Sequence, residues 1–570
     1  MNNYPPFEET IFLLCSDYMF ADIKDEKSLD LLKRKIVRDP LLYKDFLPAR
    51  DRVLAGHKKS IVMDKFSHHL SNGTAKMPSH AELLEFYKMQ IEKGEEVPDE
   101  RVFRLLRKLK VRSNSGVAVV SLLTKPYACP GRCIYCPTEK NMPKSYLAKE
   151  PAAARALMNK FDAYKQITTR LHALKANGHA IDKVEMILIG GTWGFYPKEY
   201  REEFVMECFR ACNNYGCDLD KQIKKGEKTL SELQTINETS QIRIIGLSIE
   251  TRPDYVTQDE IEHMRMLGVT KVEIGVQHVD DSVLMLTRRE MTREAICEAT
   301  ELLRNAGFKI VYHMMPNLPG SDKERDVTMF SDLFSGKDFQ PDMLKIYPCV
   351  VLKKTLLYKI WAKGGYAPYD DDTLISVLKG IYKVIPPYVR VLRMIRDIPA
   401  TYIVASSKIS NLREHVEEAM IKEGTPPRDI RAREVRDQEI NPNDFEVITR
   451  TYKTRSGTEY FLSFENTKTD TLAAFVRLRL PDDKENPVLP ILKNAGLVRE
   501  LHTYGRLARI DKEGEQSQHM GFGKRLLLEA ERITKEHGYE NIAVISGVGV
   551  REYYKQRGYT LAETYMVKAL

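Results

Sequence analysis

Three cysteines, Cys129, Cys133 and Cys136, fall in the run Cys-Pro-Gly-Arg-Cys-Ile-Tyr-Cys-Pro, on a loop tightened by Pro130, Gly131 and Pro137. Three thiols cannot all pair as disulfides, and a structural zinc wants a fourth ligand close by. The four residues after Cys136 supply neither Cys nor His. A 4Fe–4S cluster on three thiolates leaves one iron with a vacant position, where chemistry can occur. The alternative is a zinc loop that borrows a distant histidine. A second chemical feature lies near the other end, at Gln518-His519-Met520-Gly521-Phe522-Gly523-Lys524. Glycines opening a helix (here Lys524–His537) present backbone N–H groups to an anion, with the helix dipole adding to the attraction.

The elements that must hold these residues alternate. Short apolar strands at Val117–Leu123, Val184–Ile189, Ile242–Ile249, Lys271–Val276, Lys309–Met314 and Leu344–Tyr347 are separated by amphipathic helices. Such alternation predicts parallel strands with right-handed crossovers. Polar or glycine-rich residues follow each strand, where a parallel barrel carries its active site. The cysteine loop follows the first strand, Gly190-Gly191-Thr192 the second, and Glu250-Thr251-Arg252-Pro253 the third. The expected fold is α/β: a partial (β/α)6 barrel over residues 113–404, a charged linker with little core over 405–444, and a second α/β unit over 445–570. Residues 1–112 read as helical and basic. Cys208 and Cys212 lie one turn apart in a helical stretch, which favours core packing over a second cluster.

The 570 residues carry 43% hydrophobic and 29% charged residues, ordinary for a globular chain. The nine cysteines have no framework spacing, no apolar run is long enough to span a bilayer, and the N-terminus has no basic leader. A reducing, cytoplasmic location is expected. The net charge of +8 is concentrated in places. Arg101, Arg104, Arg107, Lys108, Lys110 and Arg112 form a run without acids, while Val102, Leu105, Leu106 and Leu109 recur at helical spacing. The cationic face is either solvated surface or a contact for nucleic acid.

The cysteine spacing resembles that of the radical S-adenosylmethionine (SAM) enzymes, and Gln-x-x-Gly-x-Gly resembles the loop with which GNAT acetyltransferases grip coenzyme A. In that setting Gly190, Gly191 and Thr192 are expected to approach the SAM amino group. Glu250 would accept from a ribose hydroxyl, or alternatively pair with Arg252. Together with Asp182-Lys183-Val184-Glu185, Glu250-Thr251-Arg252-Pro253-Asp254, His313–Gly320, Arg396-Asp397-Ile398-Pro399 and Ile545–Tyr554, these motifs resemble the family of the catalytic subunit of Elongator.

That resemblance implies a tRNA-modifying acyltransferase that builds a carboxymethyl group on C5 of wobble uridine 34 from acetyl-CoA. A SAM-derived radical would abstract hydrogen from the acetyl methyl group, the carbon would join C5, and hydrolysis would free coenzyme A. It implies a 4Fe–4S cluster on Cys129, Cys133 and Cys136, with SAM as cofactor and acetyl-CoA as co-substrate. Lys183, Glu500, Leu501, His502, Thr503, Gln518, Gly521, Phe522, Gly523, Lys524 and Tyr554 would contact acetyl-CoA, and Tyr553 or Tyr554 would reach the thioester. Partners would be the anticodon arm of tRNA, gripped by the Arg101–Arg112 face, and other Elongator-like subunits or a second copy; no membrane is expected. A protein lysine acetyltransferase with a structural iron–sulfur domain is the rival reading. Two departures stand out. Pro427–Glu434 carries no thiol where many relatives have a zinc motif, so no zinc is expected there. Arg289-Glu290 stands where relatives tend to have Gly-His.

Overall fold

The computed structural model describes residues 20, 25–38, 42, 45–49, 78–106, 116–436, 440–504 and 521–570. It divides into one unit of Met1–Ala118 with Lys165–Asp182 and another of Val119–Tyr164 with Lys183–Leu570.

In the first unit, Leu29, Leu32 and Ile36 share one face of the helix Glu26–Arg38. They bury with Phe46, Leu83, Phe86, Tyr87 and Val102. Ser79 and Glu82 form a capping box that starts the helix His80–Lys93, and Gly94, at φ 76°, ends it. Arg101 lies in the short helix Glu100–Leu106. Its guanidinium is paired with Asp99 at 2.7 Å.

The second unit holds two seven-stranded sheets. The first has the order β1 (Ala118–Leu123), β2 (Lys183–Ile189), β3 (Arg243–Thr251), β4 (Lys271–Gln277), β5 (Lys309–Met314), β6 (Met343–Ile346), β8 (Arg390–Arg393). Every pairing from β2 to β8 is parallel. β7 (Val351–Leu352) and β9 (Ile403–Ala405) pair apart from it. The sequence led us to expect six strands. The seventh, Arg-Val-Leu-Arg, is too short and too charged to show an apolar run. Glu250 also moves, from beyond the third strand into it. Cys208 and Cys212 are buried in the helix Lys198–Asn213, and Cys217 is exposed.

Residues 405–444 are not an irregular linker without core. The helix Leu412–Lys422 buries Leu412, Val416 and Met420, and Ile430 joins the core of the second sheet. Within Pro427–Glu434, Asp429 accepts from the Val391 N–H at 3.0 Å, and Arg433 pairs with Glu465.

The second sheet comprises β10 (Glu446–Thr454), β11 (Gly457–Asn466), β12 (Thr471–Pro481), β13 (Ala495–Thr503), β14 (Asn541–Val544), β15 (Thr560–Ala562) and β16 (Tyr565–Ala569). Its order is β10-β11-β12-β13-β14-β16-β15. Only β13 and β14 are parallel, and they pair over Ala495–Val498 alone. β13 runs on to Thr503, so beyond Val498 the two strands have parted.

This sheet packs on the N-terminal ends of the barrel strands. A Cβ on Gly547 would sit 2.0 Å from the Ile245 carbonyl oxygen, and one on Gly549 would sit 2.6 Å from Arg243 Cβ. Glycine is what permits that approach. A β-bulge leaves Arg499 without a β12 partner, since Arg477 faces Glu500 while Leu478 faces Val498. Arg499 Nη1 instead donates to the Phe308 carbonyl and to Asp342 Oδ2, each at 2.8 Å, while its Nε donates to Glu459 at 3.0 Å. Asp342 also lies 3.6 Å from Arg477. Burial pushes the Asp342 carboxyl up, but Arg499 and Arg477 outweigh it and hold it well below the usual range.

Among the described residues, no helix is long and apolar enough to cross a membrane.

Candidate functional site

The cysteine loop leaves β1 and is fixed by backbone bonds from Ile134 N–H to the Thr287 carbonyl and from Leu357 N–H to the Ile134 carbonyl. Cys133 is buried, while Cys129 and Cys136 are half-buried. Among the described residues, one group of His, Cys, Asp or Glu has all its ligand atoms within 4.8 Å of one another, Glu250, Glu273 and His313. The three cysteines do not form such a group. A single tetrahedral zinc would need sulfurs about 3.8 Å apart, so the wider set fits a multi-iron cluster better than one ion. Burial pushes the Cys136 thiol up to about 11, a state that coordination to iron reverses.

Around the loop the polar groups are aimed inward. Thr192 Oγ1 lies 3.8 Å from Cys129 Sγ. Gly190 and Gly191 have φ of 147° and 107°. A Cβ on Gly190 would lie 1.8 Å from Thr124 Oγ1, so no other residue fits this turn. The Tyr196 hydroxyl donates to the Gly190 carbonyl at 3.0 Å and locks it. Arg252 pairs with Asp254 at 2.8 Å, not with Glu250, which settles one alternative left open by the sequence. Its Nη1 is buried without a partner, and a Cβ on Gly131 would meet that atom at 2.5 Å. Arg289 Nη1 points at Cys133 Sγ from 3.7 Å. A cationic N–H facing the Cys133 thiol, a hydroxyl beside Cys129 and an unpartnered guanidinium N–H beside the loop suit an anionic iron–sulfur cluster.

Deeper in the barrel lie residues that sequence reasoning missed. Glu273, fully buried, accepts from His313 Nε2 at 2.9 Å and from Lys345 Nζ. Lys345 Nζ also lies 3.9 Å from Glu250, which accepts from the Tyr146 hydroxyl. The two carboxylates of this set therefore already hold a cation, the Lys345 ammonium. Burial pushes Glu273 up, but Lys345 and His313 outweigh it and keep the carboxylate ionised. The available signal was a Glu in Val-Glu-Ile and a Lys in Leu-Lys-Ile, charges interrupting strands that a packed barrel fills with apolar side chains.

The remaining expected site residues gather at the opposite end. Lys183 begins β2, six residues before Ile189, or roughly 20 Å from the cysteine end at the rise of a strand. Gly521, at φ 71°, caps the helix Phe522–Glu536. The first N–H groups of that helix have no intrahelical partner. A Cβ on Gly523 would lie 3.2 Å from the Tyr553 hydroxyl and 3.4 Å from Thr503 Cγ2. The structure thus brings Thr503, Gly523 and Tyr553 together. Tyr554 instead packs in the core, edge-on to Tyr559 at 5.8 Å. Phe522 stacks on Phe464 at 4.3 Å, and Lys524 is exposed. Leu501 packs against the core, and Glu500 accepts from Arg477 Nε at 3.0 Å. His502 Nε2 is buried without a partner, and burial pushes the imidazole down. Gln518, Arg107, Lys108, Lys110, Arg112 and the side chain of Arg104 lie outside the described residues.

An open parallel barrel with a three-cysteine loop at the strand C-termini defines a radical SAM enzyme. Residues 123–331 match the Radical SAM superfamily, and residues 341–422 match the Radical_SAM C-terminal domain. The chain is 42% identical over 513 residues to the tRNA uridine(34) acetyltransferase of Methanocaldococcus infernus, covering 86% of this chain and 92% of the relative. It is 40% identical over 496 residues to Elongator complex protein 3 of Saccharomyces cerevisiae, covering 83% and 87%. Among solved structures, the archaeal Methanocaldococcus infernus Elp3 with N-terminus deletion (1-46) is similar at 39% identity and TM-score 0.68, covering 80% of this chain and all of that one. The chain belongs to the family of Elongator complex protein 3 and the tRNA uridine(34) acetyltransferases.

Proposed function

We propose that this chain builds a carboxymethyl group on C5 of uridine 34 in tRNA, drawing the two carbons from acetyl-CoA. The observation that carries the reading is that a three-cysteine loop and a glycine-opened helix beside two parting strands lie at the two ends of the same barrel strands. At one end Cys129, Cys133 and Cys136 would hold a 4Fe–4S cluster, and Gly190, Gly191, Thr192 and Glu250 would hold SAM. When bound, these groups supply a 5′-deoxyadenosyl radical, which can take hydrogen from an unactivated methyl group.

At the other end the parting of β13 from β14 and the helix opened by Gly521 support the reading of a GNAT acetyltransferase. β13 parts from β14 after Val498, and those N–H and C=O groups of Glu500–Thr503 that point away from β12 would pair with the amides of a pantetheine arm. The N–H groups following Gly521 would take the pyrophosphate. Tyr553, beside Gly523 and Thr503, is better placed than Tyr554 to reach the thioester. Lys183, at the same end of the barrel, would meet the acetyl group as it enters. The buried set Glu273, His313 and Lys345 lies between the ends and would hold charge and protons in fixed places while water is excluded.

The substrate would be the exposed anticodon loop, whose bases can be splayed out of the stack. In the basic stretch 101–112, Arg101 is engaged by Asp99, so Arg104, Arg107 and Lys108 are the residues proposed to grip phosphate. A soluble cytoplasmic setting with reduced thiols suits this chemistry. Charge reversal at those three positions should weaken tRNA binding and flatten its salt dependence in a filter-binding titration.

The deciding experiment is anaerobic: purified protein, dithionite, SAM, acetyl-CoA and tRNA, with nucleoside mass spectrometry for an acidic substituent on uridine. Wild type should form it and Cys133→Ala should not. A Cys133→Ala protein that still acetylates lysine, with no modified uridine from wild type, would establish the protein acetyltransferase instead.

A further inference from the structure

Arg289 is a buried cation on which a carboxylate, Asp254, acts only from beyond salt-bridge distance. Only 7% of it is exposed. Among the described residues it forms no salt bridge, whereas its neighbours do: Arg252 with Asp254, and Arg132 with Glu290. Its polar contacts are the Gly275 carbonyl, to which Nη2 donates, and Cys133 Sγ, 3.7 Å from Nη1. Its Nε has no partner. A buried charge left in this state is costly, and proteins retain one where an anion completes it.

The surroundings are built to hold it there. A Cβ on Gly275 would lie 2.9 Å from Nη2, so the bare glycine of β4 opens the slot in which the guanidinium lies. The residues on either side, Arg288 and Glu290, have φ of 56° and 55°, left-handed conformations uncommon outside glycine. The Arg252 Nη2 donates to the Arg289 carbonyl at 3.1 Å and fixes the backbone between them. Backbone strain, a glycine slot and a second arginine all serve to point one side chain at one sulfur.

We propose that Arg289 sets the reduction potential of the iron–sulfur cluster, by fixing a permanent positive charge and an N–H donor on the Cys133 thiolate. The inference rests on the cluster assignment made under Proposed function. The one-electron reduction, supplied by a low-potential donor, adds a negative charge to a cluster that three thiolates already make anionic. A guanidinium stays protonated at every accessible pH, and in a buried site its field is poorly screened. It therefore stabilises the reduced cluster more than the oxidised one. Hydrogen bonds to sulfur and net charge are the levers by which a protein tunes such centres.

The test is a redox titration of the reconstituted full-length protein, followed by electron paramagnetic resonance, on wild type, Arg289→Met, Arg289→Gln and Arg289→Lys. With iron content matched, the two neutral variants should show about tenfold less reduced cluster at a fixed potential, a shift of about 59 mV for one electron. Arg289→Lys should stay within about threefold of wild type. If one neutral variant fails to take up iron, the other carries the measurement. Neutral variants that hold full iron and titrate with wild type overturn the proposal. So does an Arg289→Lys shift as large as theirs. Deoxyadenosine release by wild type is scored in parallel. Its presence with an unmoved potential defeats this inference alone, whereas a wild type that takes up no iron defeats the cluster assignment itself.

Discussion

Buried arginines at the two ends of the barrel are treated in opposite ways. At the N-terminal ends of the strands, Arg499 is enclosed by Asp342, Glu459 and a carbonyl, and no face of it awaits a ligand. At the C-terminal ends, Arg289 is equally enclosed but meets only a carbonyl and a thiol. The first pattern belongs to a junction that is complete once the chain folds. The second belongs to a site completed from outside. Burial alone does not separate the two, and the identity of the partners does.

The largest effect expected from this contrast is at the junction. Arg499→Met leaves Asp342 with less of its countercharge, and should cost about 3–5 kcal/mol in chemical denaturation. A neutral outcome would erase the distinction. Asp326 offers an intermediate case, a buried carboxylate that accepts hydrogen bonds from the Asn317 N–H, Ser321 and Tyr369. Burial raises it from 3.8 to about 6. Its contribution to stability is complete below about pH 4 and is lost as pH rises through about 6, amounting to about 3 kcal/mol. Asp326→Asn should therefore flatten the stability profile over that interval, measured by unfolding at several pH values. Asp342, held low, acts in the opposite sense: its contribution is present above about pH 4 and is lost on further acidification. The smallest effect is expected for Arg289→Met in iron-free protein, whose stability should change by no more than about 1 kcal/mol. A loss as large as that of Arg499→Met would show that Arg289 is part of the frame after all.

Much of the cysteine end was legible because loops announce themselves. Cys129–Cys136, Gly190-Gly191 and Arg252 follow apolar runs, and parallel strands put active sites in such places. Lys345 and Glu273 were hidden by the same logic, since they lie inside strands where charge is not looked for. Arg289 was noticed only as a departure from relatives, and its aim at Cys133 depends on left-handed turns at Arg288 and Glu290 that the chain does not advertise. At the other end, Gly521 and Gly523 pointed to a helix start, which falls at Phe522, two residues before the expected Lys524. The bulge at Arg499 could not be read, because Val-Arg-Glu-Leu-His alternates like any strand. Tyr553 and Tyr554 are adjacent and alike, and only the direction of a short helix decides which one faces Gly523.

The pinning of Arg499 to Asp342 has a mechanical corollary. Glu500–Thr503, the stretch proposed to pair with a pantetheine arm, follows directly on Arg499, and Lys345 follows three residues after Asp342. The two strands are thereby welded into a single stiff lever with no pivot between them. Carriage of a two-carbon cargo along the barrel would fall to the swing of the coenzyme's own tether, and the protein would serve as its fixed rail.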